Sequence, residues 1–223
     1  MPRQSRVVVP NFPYHVTHRG NRRQDVFFRD EDREKYKTWL KEYCDRHRLE
    51  LWAFCLMTNH VHHLVLPHHE SSLALTIGQT HGRFAQSQNR EYGWTGHLWG
   101  NRYFSTPLDE EHMWAAVRYI ELNPVRAGLV ERAEDYPWSS ARAHALGEEE
   151  QLLSPTRPFP GGVGMWSAWL AEGISVETTK RLRKNTFSGR PTGSDAFVKK
   201  LEAALGRSLL PAKPAGRPKL DRK

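Results

Sequence analysis

The chain has 223 residues, 38% of them hydrophobic and 11% aromatic, enough to bury the core of one sizeable domain with a small appendage. Two cysteines, Cys44 and Cys55, exclude a disulfide framework and read as core fillers, and no apolar run reaches the length of a membrane span. A formal net charge of +8 favours a polyanionic partner, and with no signal peptide in its opening residues the chain is expected to be cytoplasmic.

Residues 1–13 read as a basic arm carrying Arg3 and Arg6. Tyr14 to His18 alternates and predicts a first strand. The basic loop Arg19-Gly20-Asn21-Arg22-Arg23 follows, suited to phosphate contact and equally to a solvated turn. Asp30 is placed to cap a helix over about 31–47, with Tyr36, Trp39, Leu40 and Tyr43 at helical spacing. Strands are predicted over 49–57 and 60–66, joined by a tight turn at Thr58-Asn59. Ser71 or Ser72 opens a second helix that fades near Tyr92-Gly93, and an aromatic fourth strand is predicted over 98–106. A third helix starts near Asp109 or Glu110, presents Met113, Ala116, Val117 and Ile120 as an apolar stripe, and is limited by Pro124. The expected organisation is a domain over 1–145, a loop or linker over 146–174, a basic helical extension over 175–210 and a disordered basic tail over 211–223.

The order β-α-β-β-α-β predicts an α+β, ferredoxin-like sandwich with four antiparallel strands. Two helices would cover one face, leaving the other for a ligand or further helices. In this topology the third strand is central, and side chains alternate along it, so His60 and His62 share a face while Val61 and His63 share the opposite one. Two imidazoles so placed suit a divalent metal, and they equally suit ordinary polar positions on a half-buried sheet. On the third helix, Tyr119 and Asn123 are i and i+4 and therefore neighbours. Asn123 offers an amide oxygen, or caps the turn that Pro124 begins. Tyr119 offers a phenol, which needs a nearby cation or base to become a good nucleophile, or which finds a backbone partner at the core edge. His112 lies along the same stripe with no assigned role.

The run Met57-Thr58-Asn59-His60-Val61-His62-His63-Leu64-Val65 resembles the His-hydrophobe-His motif of single-tyrosine HUH transposases. The run from Val117 through Arg118-Tyr119-Ile120-Glu121-Leu122-Asn123-Pro124 to Val130 resembles their nucleophile helix, in the form carried by REP-associated tyrosine transposases. The stretches His15 to Asn21 and Thr186 to Ser194 also resemble that subfamily, and the likeness is weakest over about 146–175. One departure is Thr58, where relatives often carry proline.

The resemblance implies a transposase-like endonuclease and strand transferase. It would cut and rejoin single-stranded DNA at repeated extragenic palindromes folded into hairpins, with Mg2+ or Mn2+ as cofactor. By position, His60, His62 and Asn123 would hold the metal, and Tyr119 would attack to form a 5′-phosphotyrosine. Hairpin binding would be electrostatic first. Arg3, Arg6, Arg19, Arg22 and Arg23 are candidates on the N-terminal side, and Arg181, Arg183 and Lys184 in the extension. Arg190 and Arg217 sit in Gly-Arg-Pro triplets that resemble minor-groove hooks. The protein would be nucleoid-associated, with a monomer favoured over a dimer by the long extension. The alternative is a non-catalytic hairpin binder, either a degenerate transposase or an RNA-recognition-like module that stacks bases on an open sheet.

Overall fold

A computed structural model describes residues 8–159 and 165–209. One antiparallel sheet has the order β2-β3-β1-β4, where β1 is Tyr14–Arg19, β2 Leu49–Met57, β3 His60–Pro67 and β4 Phe104–Pro107. Helices α1 (Asp30–His47) and α2 (Ser72–Tyr92) make the two crossovers, so the predicted β-α-β-β-α-β order holds and β3 is central. Both outer edges are covered, which blocks edge-to-edge pairing. Leu56 N–H on β2 donates to Trp138 O (2.8 Å), and Thr192 bridges Leu108 just beyond β4.

The alternation of the strands sorts side chains into two cores. Tyr14, Val16, Val61 and Val65 point to one face and meet Tyr36 and Leu40 of α1 and Ile77 and Phe84 of α2. Ala53, Cys55 and Leu64 point to the other, which is covered by α3 (Glu110–Glu121), α5 (Ala141–Leu146), α6 (Met165–Ala171) and α7 (Val176–Ser188). A last helix, α8 (Asp195–Leu205), buries Phe197 and Leu201. Cys44 and Cys55 are buried and unpaired, as core fillers should be. Helices cover the first face and much of the second, which leaves over β1 and β3 a walled cleft lined by histidines and not the broad aromatic platform of an RNA-recognition-like sheet. No helix among the described residues is long and apolar enough to cross a membrane.

Polar groups also enter the first core. A hydrogen-bonded chain runs from His63 Nε2 to Tyr36 Oη (2.9 Å), on to His81 Nε2 (2.8 Å), then from His81 Nδ1 to His18 Nδ1 (2.7 Å). It ends with His18 Nε2 donating to Asn101 O (2.8 Å).

Three local expectations need correction. Arg29, not Asp30, stands at the N-cap position of α1 and makes no side-chain cap; the carboxylate of Asp32 accepts the backbone N–H groups of Phe28 (2.9 Å) and Arg29 (3.0 Å) from inside the first turn. The fourth strand is only four residues long. Trp99 leaves the sheet edge to bury its indole under α2, donating from Nε1 to His81 O (3.1 Å), and keeps only an isolated bridge to Gly20. The stretch expected as a linker is partly built into the fold, since Leu152 and Leu153 enter the first core and Trp166 and Leu170 of α6 the second. Burial of these large side chains outweighs the local count of Pro and Gly. Arg3, Arg6, Arg217 and the tail over 211–223 lie outside the described residues.

Candidate active site

The second face of β1 and β3 forms the floor of a cleft of about 660 Å³, walled by α3, α7 and the short helix α4 (Asn123–Arg126). The strand period places His60 and His62 on this floor with His15 and Thr17 of β1, while the rings of His63 and His18 turn to the first core and His18 also borders the cleft. From α3 comes Tyr119, one turn of helix before the break at Leu122. Pro124 then starts α4, which turns Asn123 and Arg126 back toward the same cleft.

The imidazoles and the phenol pack ring to ring. His62 lies edge-on to His60 (centroids 5.0 Å, 83°) and to Tyr119 (5.5 Å, 86°). His15 lies edge to edge with His62 in nearly the same plane (centroids 5.1 Å, 10°), with its Nε2 2.9 Å from His62 Nδ1 and its own Nδ1 2.9 Å from Thr186 Oγ1 on α7. His60 Nδ1 is 2.7 Å from Asn59 Oδ1. Tyr119 is only 4% exposed, and its hydroxyl oxygen accepts from Arg183 Nε (3.0 Å). The guanidinium of Arg126 sits over the Tyr119 ring (4.2 Å to the centroid) and donates to Tyr119 O (2.7 Å).

The site is electropositive. Arg19, Arg22, Arg23, Arg102, Arg126 and Arg183 line the cleft, and no carboxylate is among its lining residues. Burial, and then the neighbouring arginines 19, 126 and 183, push His60 down to about 3. Burial and Arg126 do the same to His15, and burial with His60 and His15 alongside holds His62 well below its usual value. All three imidazoles are therefore neutral at physiological pH and keep a nitrogen lone pair.

This donor set fits a divalent cation. Among the described residues no group of three His, Cys, Asp or Glu side chains could hold a metal, so a third protein donor has to be of another type. The Asn123 amide meets that need. It is buried, lines the cleft, and its Nδ2 position has no hydrogen-bond partner. Exchange of the amide's two ends puts an oxygen in the same place.

Of the residues singled out from sequence, His60, His62, Tyr119, Asn123, Arg19, Arg22, Arg23 and Arg183 converge on the cleft. Three others do not line it. Arg181 donates to Gly193 O (2.9 Å), Lys184 is exposed, and Arg190 lies on the segment that docks beside β4, where its carbonyl accepts from Thr106 Oγ1 (2.5 Å). His112 pairs with the helix-capping Asp109 (2.6 Å), a structural use at the start of α3. His15, Thr186, Arg102 and Arg126 were missed. The strand period gave a signal for His15, which falls on the odd-numbered face of β1 with Thr17, and Arg126 lies two helical turns after Tyr119.

The sequence profile of the family described as "Transposase IS200 like" matches residues 8–123, just over half of the chain. A Haemophilus influenzae protein named "Putative REP-associated tyrosine transposase" is 26% identical over 117 residues. That match takes in 48% of this chain and 66% of the relative, just under two thirds of its length. A solved structure of a REP-associated tyrosine transposase bound to a REP hairpin superposes with a TM-score of 0.56 at 18% identity, covering 73% of this chain and 97% of the other, and shows the shared fold. By its matched profile, its fold and its paired motifs, the chain belongs to the IS200-like transposase family, with REP-associated tyrosine transposases among the proteins it resembles.

Proposed function

We propose that this protein is a metal-dependent endonuclease and strand transferase that acts on single-stranded DNA at repeated palindromic hairpins, through a covalent 5′-phosphotyrosine. The observation that carries this reading is the convergence of Tyr119 from α3, His60 and His62 from β3 and Asn123 from α4 on one basic cleft. The hairpin in the solved relative agrees with a folded DNA strand as the partner.

Mg2+ or Mn2+ held by His60, His62 and Asn123 would supply Lewis-acid activation of the scissile phosphate. The chain's own residues do the rest. Arginines 19, 22, 23 and 102 bind the phosphate backbone at the cleft rim. Arg126 fixes the Tyr119 ring from one side, and Arg183 donates to the phenol oxygen. Tyr119 Oη then bonds to phosphorus as the P–O3′ bond breaks. The phenol gives up its proton, and the departing 3′ oxygen gains one. The ester keeps the energy of the broken bond, so a 3′ hydroxyl can reverse the attack and rejoin the strand.

The test is incubation of the full chain with a labelled hairpin oligonucleotide and Mn2+, followed by denaturing electrophoresis. A covalent adduct is expected for the wild type and none for Tyr119→Phe, with hairpin binding retained in both. An adduct of undiminished yield in Tyr119→Phe removes Tyr119 from the mechanism.

A further inference from the structure

The polar contacts around the two cleft histidines fix where their protons lie. Thr186 Oγ1 is 2.7 Å from Leu182 O, and a carbonyl oxygen only accepts, so the threonine proton points there. The same oxygen can then only accept from His15, which places a proton on His15 Nδ1. A neutral imidazole carries one proton, so His15 Nε2 is a lone pair. His15 is buried, and no carboxylate lines the cleft to balance a second proton on it. The 2.9 Å contact between His15 Nε2 and His62 Nδ1 must therefore be donated by His62. That leaves His62 Nε2 unprotonated. His60 reaches the same state by a separate route. Asn59 Nδ2 donates to Arg23 O (3.1 Å), so Asn59 Oδ1 is the atom 2.7 Å from His60 Nδ1 and accepts its proton.

We propose that His15 and Thr186 are positioning residues: the relay His62–His15–Thr186–Leu182 O holds His62 as its Nδ1–H tautomer, with the Nε2 lone pair free for a divalent cation beside that of His60. The inference deepens the proposed function and rests on its assignment of His60 and His62 as ligands. Partners of this kind orient a ligand imidazole and fix its tautomer. The relay also spans the chain, because β1 supplies His15 and α7 supplies Thr186, 171 residues apart. Helix α7 thus takes part in preparing the site as well as in enclosing it.

The test uses the full-length, metal-free protein with 15N-labelled histidine. Long-range 1H–15N spectra report which ring nitrogen carries the proton. His15, His60 and His62 are each expected as Nδ1–H tautomers. In Thr186→Val the acceptor is gone, His15 is expected to turn its proton toward His62, and His62 to become Nε2–H. Mn2+ affinity, read by calorimetry without DNA, is expected to fall by about 10–100-fold. Thr186→Ser is expected to restore both readouts.

His15→Gln serves as a second variant should Thr186→Val fold poorly. Its amide presents an oxygen to His62 and an N–H to Thr186, so tautomer and Mn2+ affinity are expected to persist, while His15→Phe loses both. A wild-type His62 found as Nε2–H overturns the inference, as does a folded Thr186→Val that keeps the wild-type tautomer and affinity. Neither readout depends on strand cleavage. A protein with the expected tautomers and Mn2+ binding but no adduct would contradict the nuclease reading and leave this inference standing.

Discussion

Arg183 Nε lies 3.0 Å from Tyr119 Oη, so a side chain of helix α7 is hydrogen-bonded to the atom proposed to attack DNA. A donor aimed at an oxygen that gains negative charge stabilises the transition state more than the ground state. Arg183→Ala is therefore expected to slow adduct formation by roughly 10²-fold under single-turnover conditions, with hairpin affinity changed far less. Unchanged single-turnover kinetics would show that the contact only packs the phenol.

Arg22 and Arg23 both line the cleft rim, in a tight turn over Asn21–Arg23 where each takes a left-handed φ (53° and 64°). If each neutralises one phosphate, the double variant Arg22→Ala/Arg23→Ala should flatten the plot of log affinity against log salt by about 2. Fluorescence anisotropy with a labelled hairpin across a salt series gives the slope directly. A slope equal to that of the wild type would place these arginines off the DNA path.

Gly20 opens the same turn. A Cβ there would overlap the carbonyl oxygen of Gln24 and stand 2.9 Å from Val26 Cγ1. Backbone has to move to make room. Gly20→Ala is expected to cost about 1–3 kcal/mol in urea unfolding and to weaken hairpin binding by displacing the two arginines. Full stability in this variant would mean that the loop relaxes freely.

Trp166 of α6 is buried in the second core, and its Nε1 donates to Glu121 (2.7 Å). That carboxylate is fully buried and also meets Ser140 Oγ (2.5 Å) and His144 Nδ1 (2.6 Å). Trp166→Ala should destabilise the protein by about 3–5 kcal/mol, and Trp166→Phe by less, through the lost N–H donor and the smaller ring. Equilibrium unfolding separates the two. A change under about 0.5 kcal/mol for the alanine variant would mean that α6 is a dispensable appendage.

The buried imidazoles make acid the weak side of this fold. Burial lowers His63 to about 3 and holds His81 well below its usual value, with His18 and His63 as the next contributors to the latter. Between about pH 6.5 and 3 the unfolded chain then binds more protons than the folded one, so stability rises with pH in that window. It is fully present above 6.5 and is lost as the pH falls toward 3. Melting temperature across pH 8 to 4 should be level above 6.5 and decline below it. A level profile down to pH 4 would show that the folded protein takes up these protons freely.

Much of this was legible in the sequence because short-range periodicity carries it. The two-residue period of β3 put His60 and His62 on one face, and the helical spacing of α3 and α4 joined Tyr119 to Asn123. What escaped depends on tertiary packing. The fourth strand reads as long and aromatic, yet Trp99 is drawn under α2 and only Phe104–Pro107 remains paired to β1. Arg126 reads as a turn residue, and only the fold lays its guanidinium on the Tyr119 ring. Thr186 lies 171 residues from His15, and no local pattern links them. The Pro- and Gly-rich composition around 146–164 reads as a loop and hides that Leu152, Leu153 and Phe159 enter the two cores.

Along β3 the odd and even positions answer to different masters: His60 and His62 open to the cleft, while His63 joins Tyr36 in the core behind. The strand thus has a reading frame, set by the two-residue turn at Thr58-Asn59. A single residue inserted there would rotate Val61 and His63 outward and send both cleft imidazoles into the hydrophobic layer. The sheet could still pair along its length, but the reactive centre would be turned inside out.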